Sequence, residues 1–174
     1  MPDNRPADDE RDYLDKHYTR RRFMRPGEPV GSPVWNSYLK PLVDPFVEVG
    51  YLRYTNEEEL HQIIWATWKD AGVDNDATVE HELWLPRHER SAKGSRIDFL
   101  WSYDDGHRAG VEIKAAGWWS TEVVQEQLVR YAETEHTHSM LLLTADYDHL
   151  EVDWPTELQV PLFIVLIDGY RGSR

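Results

Sequence analysis

The chain has no cysteine, so disulfides and thiolate-held metals are both excluded. It also lacks a long apolar run. Met140-Leu141-Leu142-Leu143 and Leu162-Phe163-Ile164-Val165-Leu166-Ile167 are strand-length, far too short to cross a bilayer. The first residues, Met1-Pro2-Asp3-Asn4, have no apolar signal-peptide core. A soluble, cytoplasmic protein with no membrane partner is therefore expected. Lysine is scarce: Lys16, Lys40, Lys69, Lys93 and Lys114 are the only ones, so arginine supplies the rest of the 19 basic residues. Against 32 acidic residues this leaves a net charge of −13. That balance argues against broad contact with a polyanion. It suits a salt-adapted or high-GC host, where bulk acidity keeps the surface solvated.

What remains is enough for one packed domain. The chain has 174 residues, of which 40% are hydrophobic, and it includes eight tryptophans and nine tyrosines. Residues 1–54 read as an N-terminal arm. It is acidic at first, then basic at Arg20, Arg21, Arg22 and Arg25, then broken by Pro26, Gly27, Pro29, Gly31 and Pro33. Pro41 and Pro45 interrupt any long helix in the last part of the arm.

From residue 55 to 174 the periodicity is regular. Leu60, Ile63, Ile64, Thr67, Trp68 and Ala71 recur at helical spacing and predict a helix over 57–71, ended by Gly72. Its cap is either Thr55, in a box with Glu58, or Asn56. Strands are expected over 78–85, 96–103 and 109–115. Asp104-Asp105-Gly106 joins the second and third as a hairpin. A helix over 121–134, capped by Ser120 or Thr121, and strands over 139–145 and 161–168 complete the order α-β-β-β-α-β-β. This predicts an α/β fold, a mixed sheet flanked by helices.

One strand carries the main chemical signal. In Val111-Glu112-Ile113-Lys114 the period of two puts Val111 and Ile113 on one face and Glu112 and Lys114 on the other. If both faces are covered, a carboxylate and an ammonium there are costly to desolvate unless something uses them. Asp98 likewise interrupts the apolar run Ile97-Asp98-Phe99-Leu100-Trp101. Across a hairpin it can sit beside Glu112, where two carboxylates repel unless a divalent cation lies between them. Hard oxygen ligands suit Mg²⁺ or Mn²⁺.

Arg96-Ile97-Asp98, a turn and then Val111-Glu112-Ile113-Lys114 resemble the Asp…(Asp/Glu)-x-Lys signature of the PD-(D/E)xK nuclease superfamily. Gln127-Leu128-Val129-Arg130-Tyr131 is similar to the Gln-x-x-x-Tyr motif of its RecB-like branch. The helix beginning Glu57-Glu58-Glu59 is similar to that of archaeal Holliday-junction resolvases, whose leading Glu serves the metal. The likeness covers roughly residues 55–145. His61 stands where the RecB-like branch often has an upstream histidine.

The resemblance implies a restriction-endonuclease-like core and a Mg²⁺- or Mn²⁺-dependent deoxyribonuclease acting in repair, recombination, restriction or mobile-element biology. Asp98, Glu112, the Ile113 carbonyl and Glu57 would hold the metal. Lys114 would orient or deprotonate the attacking water, or stabilise charge on the phosphate. Gln127 would fix Lys114 or a water, with Tyr131 packed below it. Arg130 and the Arg20, Arg21, Arg22 and Arg25 cluster would contact DNA phosphates. A homodimer would suit the resolvase or restriction-enzyme branches.

Plainer readings stand beside these. Glu112 and Lys114 could be an ion pair on a solvated edge strand, and Asp98 could face water. Three glutamates favour any helix N-terminus through its dipole. Gln127 and Tyr131 fit an ordinary amphipathic helix, and the arginines fit a solvated arm. Trp118 and Trp119 could stack on bases or pack in the core. The chain could also be a non-catalytic module with a nuclease fold, binding nucleic acid or a partner protein. A third reading is an acidic mimic of DNA.

Overall fold

The structure is a computed structural model that describes residues 23–24, 32–85, 95–155, 158–167 and 169–171. Arg20, Arg21, Arg22 and Arg25 lie outside the described residues, as does Asp168 at the end of the last expected strand.

In chain order the elements begin with a two-residue strand β1 (Phe23–Met24), a π-helical turn over Trp35–Leu39 and helix α1 (Lys40–Val49). Strand β2 (Leu52–Tyr54) and helix α2 (Glu57–Asp70) follow, and then the antiparallel strands β3 (Ala77–Leu85), β4 (Ser95–Tyr103) and β5 (Arg108–Lys114). After helix α3 (Thr121–Ala132) come strand β6 (Ser139–Thr144), a single turn α4 (Asp148–Glu151), β7 (Leu162–Leu166) and β8 (Gly169–Arg171).

The main sheet has the order β1-β7-β6-β5-β4-β3. β5, β6 and β7 run parallel, while β3 and β4 extend the sheet antiparallel. β2 and β8 form a separate parallel pair. The fold is α/β, with a mixed sheet between two helical layers.

Each layer covers a distinct core. α1 and α2 bury Leu42, Phe46, Leu60, Ile64 and Trp68 against Val111, Ile113, Leu141 and Phe163. α3 buries Val124, Leu128 and Tyr131 against Met140, Leu142 and Ile164 on the opposite face. β5 is therefore a central strand covered on both sides, not an edge strand. Gly110 gives two buried side chains their room: a Cβ there would lie 2.4 Å from Ile97 Cδ1 and 2.5 Å from Met140 Sδ and would push both aside.

The N-terminal arm expected over 1–54 does not end at residue 54. Leu39, Leu42, Val43 and Phe46 are fully buried, and Leu52 and Tyr54 nearly so. The prolines mislead because of where they fall. Pro41 sits in the first turn of α1, at its junction with the π-helical turn. Pro45 does remove one helical bond. Against that, Trp68 Nε1 donates to the Leu42 carbonyl at 2.8 Å and fastens α1 to α2. Among the described residues no helix is long and apolar enough to cross a membrane.

Candidate functional site

The cap of α2 combines parts of both expected alternatives. Asn56 is the N-cap, accepting from Glu59 N at 2.9 Å, and the Glu59 carboxylate reaches back to Thr55 N at 2.6 Å. This leaves Glu57 free to turn inward. Its carboxylate accepts from Ala115 N at 3.1 Å and from Trp119 Nε1 at 2.9 Å, and lies 4.0 Å from Lys114 Nζ. Glu57 thus ties the start of α2 to the end of β5. Both of its carboxylate oxygens accept hydrogen bonds.

β4 is distorted where Asp98 sits. His81 pairs with Phe99 and Leu83 with Ile97, but the register skips the Glu82–Asp98 position between them. On the other side the β4–β5 ladder stops at Phe99 and Val111. Ile97 and Phe99, two residues apart, should share a face in a regular strand. Instead Ile97 joins the α3 core and Phe99 the α2 core. Glu82 has φ of 50°, a strained value for a residue other than glycine. The Asp98 carboxylate fills the resulting gap, accepting from Ile113 N at 2.8 Å, and lies 3.5 Å from His61 Nε2. His61 follows Glu57 by four residues on α2, a spacing that sets both side chains on one face of the helix.

Asp98, Glu112, Lys114 and Glu57 converge at this end of the sheet. Glu112 and Lys114 are 1% and 3% exposed, and Lys114 Nζ contacts Glu112 Oε1 at 2.6 Å. The second carboxylate oxygen, Glu112 Oε2, is buried with no hydrogen-bond partner. Burial first, and the Asp98 carboxylate next, push Glu112 up to about 8. Burial is also the main cause holding Asp98 above the usual carboxylate range. Burial alone would lower Lys114, but Glu112, Asp98 and Glu57 together outweigh it and hold the ammonium above its ordinary value. Three carboxylates thus share one buried cation, an arrangement short of positive charge.

The site opens into a cavity of about 640 Å³, also lined by Gln127, Arg130, Arg96, Trp84 and Trp119. Gln127 is engaged along its own helix. Its amide donates to the Tyr131 hydroxyl, which in turn donates to the Arg96 carbonyl. The pair therefore braces the kinked start of β4. Trp118 and Trp119 are not core residues: they are 46% and 44% exposed, and Lys114 Nζ lies 5.1 Å from the Trp119 ring centroid.

The donor set can be tested against a metal. Among the described residues no group of three or more His, Asp or Glu side chains is arranged to hold an ion. Two facing carboxylates with one buried oxygen lacking a donor still suit a small hard cation, with a backbone carbonyl as a further oxygen. Comparison with protein-family models and with curated proteins gives no match to this chain.

Proposed function

We propose that the chain is a divalent-metal-dependent nuclease of the PD-(D/E)xK type, built on a restriction-endonuclease-like core and hydrolysing phosphodiester bonds in DNA. One observation carries this reading. Asp98, Glu112 and Lys114 meet from neighbouring strands inside a covered sheet, and Glu112 Oε2 is left buried with no donor. An orphaned carboxylate oxygen costs stability without contributing to packing, so the arrangement calls for a cation.

Asp98, Glu112 and the Ile113 carbonyl would hold Mg²⁺ or Mn²⁺. When bound, the ion supplies Lewis acidity to a phosphoryl oxygen and lowers the pKa of water. The remaining work falls to the protein. Lys114, fixed between Glu112 and the Trp119 ring, carries a permanent positive charge at the cavity floor. There it orients the attacking water and stabilises charge that develops on the phosphate. Glu57 sets the position of the β5 terminus through Ala115 N. Ile113 N fixes the Asp98 carboxylate, so both carboxylates are aimed before a cation arrives. Arg130 and Arg96 offer phosphate contacts at the cavity wall.

The test incubates linear, circular and four-way-junction DNA with Mg²⁺ or Mn²⁺, comparing the wild type with Asp98→Ala and Lys114→Ala. Wild-type cleavage should fall at least ~100-fold in each variant. Cleavage unchanged in both removes the site. Binding without cleavage, with every metal and salt concentration tried, favours a non-catalytic module that keeps the fold as a scaffold.

A further inference from the structure

We infer that the cavity takes single-stranded DNA, with unpaired bases stacking on Trp84 and Trp119. The inference rests on the nuclease reading and names the substrate form for the same site. Trp84 is 66% exposed and Trp119 is 44% exposed, and both line the cavity that holds Asp98, Glu112 and Lys114. An indole is the largest apolar side chain, and leaving two open beside a polar cavity costs solvation unless a ligand covers them.

Trp119 is anchored. Trp119 Nε1 is fixed by both oxygens of Glu57, at 2.9 and 3.1 Å. The loop that carries it is pinned by Gly117 N donating to Asp146 Oδ2 at 2.8 Å, and Ser120 caps α3 directly after it. Trp84 lies on β3, and the Arg96 guanidinium carbon is 6.0 Å from its ring centroid. A ring held as that of Trp119 is stacks with little loss of side-chain entropy.

The charges select the strand form. Beyond the central carboxylates the lining adds Glu58, Glu82 and Glu126, against the cations Arg96 and Arg130. Arg96 is itself within 3.7 Å of Glu82. A duplex would bring two phosphate backbones to this acidic wall while hiding its base faces inside the helix. Counterion release, the usual source of affinity for duplex DNA, is weak with so few cations. A single strand brings one backbone and exposes bases, which aromatic platforms bind by stacking whatever the sequence.

The test measures binding of a labelled single-stranded oligonucleotide and of its blunt duplex by fluorescence anisotropy. A chelator is present so that no cleavage occurs, and the proteins are the full-length wild type, Trp84→Ala and Trp84→Phe. Far-UV circular dichroism checks each fold. The single strand is expected to bind at least tenfold tighter than the duplex, with a salt dependence of no more than about two phosphates at ~0.7 each in log–log slope. Trp84→Ala should weaken single-strand binding about tenfold, and Trp84→Phe should retain most of it.

Equal affinity for the two forms, no binding to either, or single-strand binding unmoved by Trp84→Ala overturns the inference. A parallel cleavage assay with Mn²⁺ separates the two levels. Duplex cleavage abolished by Lys114→Ala, with no preference for single strands, overturns the stacking inference and leaves the nuclease. A single-strand preference that depends on Trp84, with neither form cleaved, keeps the stacking surface and overturns the nuclease.

Discussion

The β4–β5 hairpin carries a polar cluster at each end, and the two are built on opposite terms. At the turn, the Tyr38 hydroxyl donates to Asp105, whose other carboxylate oxygen accepts from His107 N at 2.9 Å. The His107 ring stacks on Tyr38 at 3.6 Å and pairs through Nε2 with Ser139 Oγ at 2.9 Å. His138 Nδ1 accepts from Arg108 N at 3.0 Å. Each of these groups has a partner, as buried and half-buried polar groups ordinarily do. At the open end, three carboxylates crowd one ammonium and Glu112 Oε2 has no donor. A satisfied network holds a turn in place. An unsatisfied one in an equally ordered strand is what a binding site for a cation requires.

The comparison breaks first on activity. Lys114→Met should reduce single-turnover DNA cleavage in Mn²⁺ by ~100-fold or more, whereas His107→Asn at the turn should leave the rate within about twofold. Equal losses in the two variants would erase the distinction between the ends.

Stability comes next. Lys114→Met leaves the buried Glu112 carboxyl without its partner and should cost about 3–5 kcal/mol in urea unfolding. Replacing the pair together, as Glu112→Leu with Lys114→Met, should restore wild-type stability or exceed it by about 1–4 kcal/mol. A double variant as unstable as the single one would mean that the pair belongs to the structure and not to a site.

At the turn the same logic gives a smaller effect. Ser139 is fully buried, and Ser139→Ala should lose about 1 kcal/mol with cleavage unchanged. An altered cleavage rate in that variant would couple the two ends.

The last effect is in pH dependence. Burial, and then His138, lower His107 to about 4, below the ~6.5 of an unfolded histidine. Between these values the unfolded chain binds more protons than the folded one, so stability falls as pH drops from about 6.5 to about 4 and is complete above that window. The wild type should therefore lose more stability across this window than His107→Asn. Parallel curves for the two would contradict the assignment.

Much of this was legible in the sequence where period and chemistry agreed. The alternation of Val111 and Ile113 against Glu112 and Lys114 gave the two faces of β5, because a strand covered on both sides leaves no neutral place for charge. A cap of α3 at Ser120 or Thr121, of which Ser120 is the one, and Asp104-Asp105-Gly106 as the turn were readable from local chemistry, and Gly106 has φ of 88°. Helix α1 was hidden because two prolines weigh against a helix locally, while the burial of Leu42 and Phe46 that outweighs them comes from distant segments. The kink at Asp98 left no trace in the pattern, since it arises from a strained Glu82 on the neighbouring strand. The bond from Tyr131 to the Arg96 carbonyl was hidden for the same reason: helical spacing places Gln127 and Tyr131 one turn apart, but only the course of β4 brings that carbonyl to them. Trp84 and Arg96 enter the site through that distortion as well.

The central claim is that Asp98 and Glu112 form a seat for a divalent cation. Isothermal titration of Mn²⁺ into the wild type, Asp98→Asn and Glu112→Gln tests it most directly, because it requires neither a substrate nor turnover. The expected result is a single binding event in the wild type whose affinity drops at least tenfold, by about 1.4 kcal/mol, in each variant. No binding to the wild type, or equal affinity in all three proteins, would contradict it.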